Sequence, residues 1–560
     1  MQTFKDKQRQ LFKWEHLPEK TVGWLESNWP GVWQREVIPM IDERMFAGLY
    51  RANDGRASKA TADMIGILIL KEFENLTDEE TVGRVMLDVG WQYALDMAPG
   101  EAYVAERTLQ YFRAKLLADA GHTALFEDLT DKIIASLGTR TGMQRQDSTH
   151  VVSNMKTLRR LELFVKTIAV FLKELRCEKP GRYETLDEEI RKRYIERARG
   201  RFGDARGSEA HRRIEQCAAD AWLLLETFRN NKKIRALDGY RILNRLFQEQ
   251  CEVEDGDKIT VRAKVSADSL QSPFDEGAGY SGHKGKGYQE QIVETCDPAN
   301  DVQIITHAAV ESADKSDAAA LVPAVKALGK RELKPEEIIA DTVYCGGEND
   351  VALRDMGIAL IGPAAGAAPA RPSPLPAFET TPDLKCVVCC PRGVAPVRVR
   401  HTKKGDAVVS LFDKETCRAC DMRGSCGAKR HKKNYVLAFT RSQMATALRR
   451  EQENKEAFKE KYAIRSGIEG TNSELKRAHG LGRLRVRGRP AVEFAVFMKT
   501  IACNVKRYIK ARIERLRKGS GCENVTANAV CGAENAPRGA STVVFGLLRC
   551  HVSHSLPLAA

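Results

Sequence analysis

The stretch Gly282–Ser312, GHKGKGYQEQIVETCDPANDVQIITHAAVES, decides the fold. Two β-prone runs flank Asp297, Pro298, Asn300 and Asp301, the composition of a turn, and this predicts an antiparallel hairpin. Downstream the pattern alternates. DAAALVPAVKALG (317–329) reads as a helix, EEIIAD (336–341) as a short strand ending at Asp341, ENDVALRDMG (348–357) as a helix and IALI (358–361) as another short strand. Hairpin, helix, strand, helix, strand describes an α/β fold, a mixed sheet with flanking helices. In open α/β sheets ligands bind at strand ends, which marks Asp341.

Working outward, residues before about Leu117 read as helical, with apolar residues dense in MIGILILKEF (64–73). Thr77 followed by Glu80 predicts a helix start closed by a capping box. RTLQYFRAKLL (107–117) carries Arg113 and Lys115 among apolar residues that read as core. From Met155 to about Glu254 the pattern stays helical, with no catalytic spacing. GPAAGAAPARPSPLPAFETTP (362–382) is rich in Ala and Pro and reads as a linker ahead of a cysteine-bearing segment. Helical character returns at 441–465 and runs to Arg517, and the stretch after Gly519 lacks periodicity and is expected to be a disordered tail. There is no internal repeat.

The chain has 560 residues, 43% hydrophobic and 29% charged, and a formal charge of +14. Its length calls for two or three structural units. No apolar run has the length of a bilayer span, and MQTFKDKQRQLFKW at the start has charges where a signal peptide needs an apolar stretch. The expectation is a cytoplasmic protein with no membrane partner. The positive charge suits an anionic partner, and its placement says more. Lys476, Arg477, Arg483, Arg485, Arg487 and Arg489 fall in KRAHGLGRLRVRGR (476–489) with no acid among them, a pattern suited to phosphate contacts. GHKGKG lacks the Lys-Ser/Thr of a phosphate-binding loop, so no nucleotide cofactor is expected.

The segment KEKYAIRSGIEGTNSELKRAHG (459–480) has a geometric signal. In a helix each residue turns about 100°, so Tyr462, Arg465, Glu469 and Lys476 fall within about a 60° sector, while Ile464, Ile468 and Leu475 gather on another face. The same pattern would serve an ordinary solvent face with ion pairs. Gly467 and Gly470 weaken the helix by about 1 kcal/mol each relative to Ala, and they could permit close approach of DNA.

The spacing Y-x2-R-x3-E-x6-K of Tyr462, Arg465, Glu469 and Lys476 resembles the signature of a group of bacterial insertion-sequence transposases of the DDE type. QDSTHVVSN (146–154) resembles that family's first-Asp block and points to Asp147, and IIADTVYCGGEND (338–350) resembles its second and points to Asp341. RLRVRGRPAVEFAVFMKTIACNVKRY (483–508) resembles its closing segment, and residues 64–95 resemble the helical domain common ahead of such catalytic cores. Val343 departs from the small residue usual before the aromatic of the second block, and TGMQRQ ahead of Asp147 is polar for a central strand.

The resemblance implies an RNase H-like catalytic fold in which Asp147, Asp341 and Glu469 hold Mg²⁺ or Mn²⁺ for DNA cleavage and strand transfer. It implies DNA contacts from Tyr462, Arg465, Lys476, Arg477, Arg483, Arg485 and Arg487. The partners implied are double-stranded DNA, as transposon ends with terminal inverted repeats and as target, and further copies of the chain assembled on DNA near the nucleoid. The organisation expected is a helical DNA-binding domain over 1–120 and a catalytic domain over 140–361 with a helical insertion at 155–255. A linker and cysteine-rich insertion over 362–434, the rest of the catalytic domain over 435–517 and the tail 518–560 complete it. A non-catalytic transposase descendant and a metal-dependent nuclease without strand transfer are the alternatives.

The 15 cysteines are an odd number with no secretion signal, so a disulfide framework is not expected. Cys386, Cys389, Cys390, Cys417, Cys420 and Cys426 cluster with C-x2-C spacing and are candidates for structural zinc, with the choice of four among six open. Cys390, followed by Pro391 and Gly393, resembles a knuckle at least as well as Cys389. His150, His283 and His479 read as phosphate contacts or surface residues rather than metal ligands.

Overall fold

A computed structural model of the chain describes residue 5 and residues 13–49, 59–99, 102–118, 121–196, 207–254, 258–402 and 407–519. The tail expected to be disordered lies outside the described residues. The hairpin anticipated from Gly282–Ser312 is present. Strands β1 (Met143–Val151), β2 (Gly285–Thr295), β3 (Ile305–Ser312), β4 (Glu337–Ala340) and β5 (Ala359–Ile361) form a mixed sheet in the order β3-β2-β1-β4-β5, with short Gly279–Ser281 also paired to β2. β2 is antiparallel to β1 and β3, whereas β4 is parallel to β1 and β5. Helix Gly347–Asp355 supplies the crossover between the parallel neighbours β4 and β5, and helix Leu321–Lys330 leads from β3 into β4.

Strand β1 is central despite its polar sequence, because Gln144 and Arg145, buried within it, find partners on neighbouring segments. Thr306 Oγ1 donates to Gln144 Oε1 (2.6 Å), and Gln144 Nε2 donates to the Leu333 carbonyl (2.8 Å). Arg145 pairs with Glu294, itself fully buried on β2 (Nε to Oε1, 2.8 Å). The Gln146 amide, by contrast, is buried without a partner among the described residues. Register does the rest: Gln146 lies beside Ala340, the last residue of β4, so Asp147 in mid-strand and Asp341 just past β4 stand at the same level.

The helices before Leu117 share one hydrophobic core with the sheet and with the long helix Arg489–Gly519. Thr77 does start its helix with a capping box to Glu80. Asn504 on the long helix accepts from Ile305 N (2.9 Å) and donates to Ile305 O (2.8 Å), which pins that helix across β3. Polar ties to the N-terminal helices include Lys499–Glu72 (2.5 Å) and Arg512–Glu36 (2.7 Å). The helical region between β1 and β2 has its own core, built from Phe164, Phe171, Leu224 and Leu243 among others. A third core lies in the cysteine-bearing segment, around an antiparallel sheet ordered Arg398–His401, Ala407–Asp413, Asn434–Thr440, Lys429–His431. The stretch 362–382 ahead of it is mostly irregular, as its composition requires.

Candidate active site

Asp147 sits in the middle of β1, and Asp341 directly follows β4 and accepts a hydrogen bond from the Thr342 N–H at the start of a short 3-10 turn. Glu469 lies in the first turn of helix Gly467–Arg477. The segment 456–477 is not one continuous helix: a 3-10 turn at Ile464–Ser466 joins Glu456–Ala463 to Gly467–Arg477. That turn replaces the uniform stripe anticipated from helical spacing and carries Arg465 inward over the sheet.

Arg465 stands between the three acids. Its Nη2 is 3.6 Å from Asp147 Oδ2 and 3.7 Å from Asp341 Oδ2, and its Nη1 is 3.2 Å from Glu469 Oε1. Three carboxylates from two strands and a helix thus share one guanidinium as countercharge. Exposure is graded across them, from 15% of the Asp147 side chain through 43% for Asp341 to 67% for Glu469. Burial raises the pKa of Asp147, the Ser148 N–H and Arg465 oppose it, and the Asp341 charge adds to it. Burial works against the Arg465 charge, yet Asp147, Tyr462 and Asp341 hold its pKa above the ordinary value.

The helix bearing Glu469 is fixed from below by a buried polar network. Thr471 Oγ1 donates to Glu294 Oε2 (2.7 Å), and Arg507 links Glu294 (3.1 Å) to Glu474 (2.9 Å). Arg145 Nη1 donates to the Ile464 carbonyl (2.6 Å) in the 3-10 turn. Gly467 belongs to this contact, since a Cβ there would run into the Arg145 guanidinium. Close approach of DNA is therefore not what requires Gly467: the neighbour is a side chain of the sheet. Gly470 does face open space. Asn472, which sequence inspection passed over, donates to Asp147 Oδ2 (3.2 Å); its position three residues after Glu469 was the available signal.

The other candidates divide by what holds them. Tyr462 stacks on Phe458 (5.9 Å between centroids) and packs near Ile339 and Ile361, beside Asp341. Lys476, Arg477 and Arg483 are exposed. Arg485 and Arg487 are exposed too but held by the protein itself: Arg485 donates to the carbonyls of Leu76 (2.8 Å) and Asn75 (3.1 Å), and the Arg487 guanidinium lies over the Phe274 ring (5.3 Å). His479 is neither a phosphate contact nor a surface residue. It is fully buried, its Nδ1 lies 2.9 Å from the Glu72 carbonyl, and it approaches Glu474 and Cys503 with ligand atoms within 4.8 Å. Arg507 already supplies a countercharge to Glu474 there. The three carboxylates around Arg465 offer only oxygen donors, the set suited to Mg²⁺ or Mn²⁺, and their shared guanidinium marks a place where a cation is needed.

Residues 389–509 match the family described as Transposase DDE domain, and residues 32–115 match the family described as Transposase domain (DUF772). Both are transposase domains. Together they support an insertion-sequence transposase of the DDE class. The first match contains Tyr462, Arg465, Glu469 and Lys476, and neither reaches Asp147 or Asp341. No curated protein and no solved structure matches the chain. No helix among the described residues is long and apolar enough to cross a membrane.

Proposed function

We propose that the chain binds the terminal inverted repeats of an insertion sequence and catalyses metal-dependent DNA cleavage and strand transfer at Asp147, Asp341 and Glu469. The observation that carries this reading is the convergence of all three carboxylates on Arg465 within 3.7 Å. The sheet order β3-β2-β1-β4-β5, antiparallel then parallel, supports an RNase H-like core with Asp147 on its central strand and Asp341 just past the end of the neighbouring one. Asp147 and Asp341 anchor the cations from the sheet, and Glu469 completes the set from its helix. When bound, Mg²⁺ or Mn²⁺ supplies an activated water or 3′-hydroxyl and a stabilised leaving oxygen. Arg465, which balances the acids in their absence, turns to a DNA phosphate once the acids are occupied. Lys476, Arg477 and Arg483 meet the backbone of the transposon end, and Tyr462 sets the position of the turn that carries Arg465. Copies of the chain assemble on the paired ends, close to the nucleoid.

The test is incubation of the protein with Mg²⁺ or Mn²⁺ and DNA carrying the terminal repeats of its element, scored for end cleavage and joining to target. Asp341→Ala and Glu469→Ala should each lower cleavage by at least about a hundredfold, with end binding retained. Specific cleavage surviving both substitutions would overturn the assigned site. Cleavage without joining would identify a nuclease instead.

A further inference from the structure

The structure divides the six clustered cysteines into four and two. Cys390, Cys417, Cys420 and Cys426 line a single cavity of about 30 Å³, walled by Phe378, Phe412 and Tyr435. Three chain segments deliver them. Cys390 lies in a tight turn in which its carbonyl accepts from Gly393 N (2.7 Å) and its own N–H donates to Val394 O (2.9 Å), and Gly393 takes φ +74°. Cys417 is the penultimate residue of a one-turn helix, Lys414–Arg418, that Asp413 caps by accepting from Thr416 N (2.9 Å). Cys420 and Cys426 flank a 3-10 turn, and Cys426 N–H donates to Met422 O (2.9 Å). The other two cysteines belong to a different hairpin. Cys389 Sγ is 3.1 Å from Glu379 Oε2, and Cys386 N–H donates to Thr381 Oγ1 (3.1 Å).

We infer that Cys390, Cys417, Cys420 and Cys426 form a structural zinc site that closes the small β unit between Asp341 and Glu469. Four thiolates on two tight turns and a short helix meet the tetrahedral demand of Zn²⁺. No three of the four sulfurs lie within 4.8 Å of one another, so binding requires the ion to draw the turns together. The unit has reason to need it. Its sheet has two strands of three or four residues, and its core holds eleven buried residues, three of them the aromatics Phe378, Phe412 and Tyr435 that wall the cavity. Part of that core is lent by Met444 and Ala445 on helix Arg441–Gln452, so the cysteine-bearing turns at its other side have few apolar contacts of their own to fix them. None of the four touches the three acids or Arg465, so the site stands or falls separately from the catalytic reading.

The full-length protein, purified without chelator, should contain about one zinc per chain by elemental analysis, and X-ray absorption at the zinc edge should report four sulfur ligands near ~2.3 Å. Cys417→Ser with Cys420→Ser should lose the metal, whereas Cys386→Ser with Cys389→Ser should keep it. Should the first pair fail to fold, the absorption spectrum of the unaltered protein still decides the ligand set. Metal-free protein, loss of zinc in the Cys386/Cys389 pair, or a mixed shell of one sulfur with nitrogen and oxygen, as Glu474, His479 and Cys503 would give, each overturns the inference.

Discussion

Arg465 and Glu290 are two side chains whose charge is set by their surroundings, and each makes a measurable prediction. With Arg465 as the shared countercharge, Arg465→Gln leaves three carboxylates to repel one another, so Mn²⁺ should bind more tightly. The concentration of Mn²⁺ that half-saturates its thermal stabilisation should fall severalfold, even as end cleavage declines. An unchanged midpoint would show that the guanidinium does not compete with the cation. Glu290 is fully buried on β2, with one oxygen accepting from Thr500 Oγ1 (2.9 Å) and the other unpartnered among the described residues. Burial pushes its pKa up to about 8, with Thr500 and Lys476 opposing. The unfolded acid ionises near the ordinary glutamate value of 4.5, so between that and 8 the folded state holds a proton that the unfolded state has lost. Stability is therefore full below 4.5 and falls as pH rises towards 8, by up to about 1.4 kcal/mol per unit within that window. Glu290→Gln should flatten that slope, and its advantage in melting temperature should grow between pH 5 and pH 8.

At the scale of elements, the helix bearing Glu469 is positioned by what it touches rather than by its own propensity. Gly467 and Gly470 are equal on a propensity scale yet differ in the fold, because one faces the Arg145 guanidinium and the other open space. Gly467→Ala should push the helix off the sheet, costing about 1–3 kcal/mol by overpacking and lowering end cleavage at least tenfold. Gly470→Ala should leave stability unchanged or raised by up to about 1 kcal/mol. Melting and cleavage of the two variants side by side check this, and equal behaviour would refute the contact. The 3-10 turn between Ala463 and Gly467 follows from the same docking, since Arg145 holds the Ile464 carbonyl. Regular helical arithmetic had no means of anticipating a bond from a strand more than three hundred residues earlier.

Across the whole molecule, the basic stretch after Lys476 has two duties that the sequence does not separate. Arg485 clasps the carbonyls of Asn75 and Leu76, where Asn75 takes φ +55°, and so joins the N-terminal helices to the segment that follows helix Gly467–Arg477. Arg477→Ala and Arg483→Ala should each weaken DNA binding uniformly across sequences and reduce the salt slope of log K by about 1. Arg485→Ala should lower the melting temperature as well, and a purely electrostatic effect from all three would refute the distinction. Shared burial explains why the N-terminal helices are not a detached module: Trp33, Ile65, Phe126, Ile292 and Phe497 belong to one core.

The sequence by itself determined the local elements. Hydrophobic periodicity and turn chemistry fixed the hairpin β2–β3, the strand ending at Asp341, the capped helix at Thr77 and the helical insertion, because each is encoded within a few turns of chain. It pointed to Glu469 through helical spacing and to Asp147 by resemblance alone, since β1 has almost no apolar pattern to read. Only the tertiary structure decided that this polar strand is central, because its partners Glu294, Thr306 and Leu333 come from distant segments. The same long-range contacts placed Arg465 among the acids and separated four cysteines from two, since the energy that fixes such arrangements resides in pairs that sequence order keeps apart.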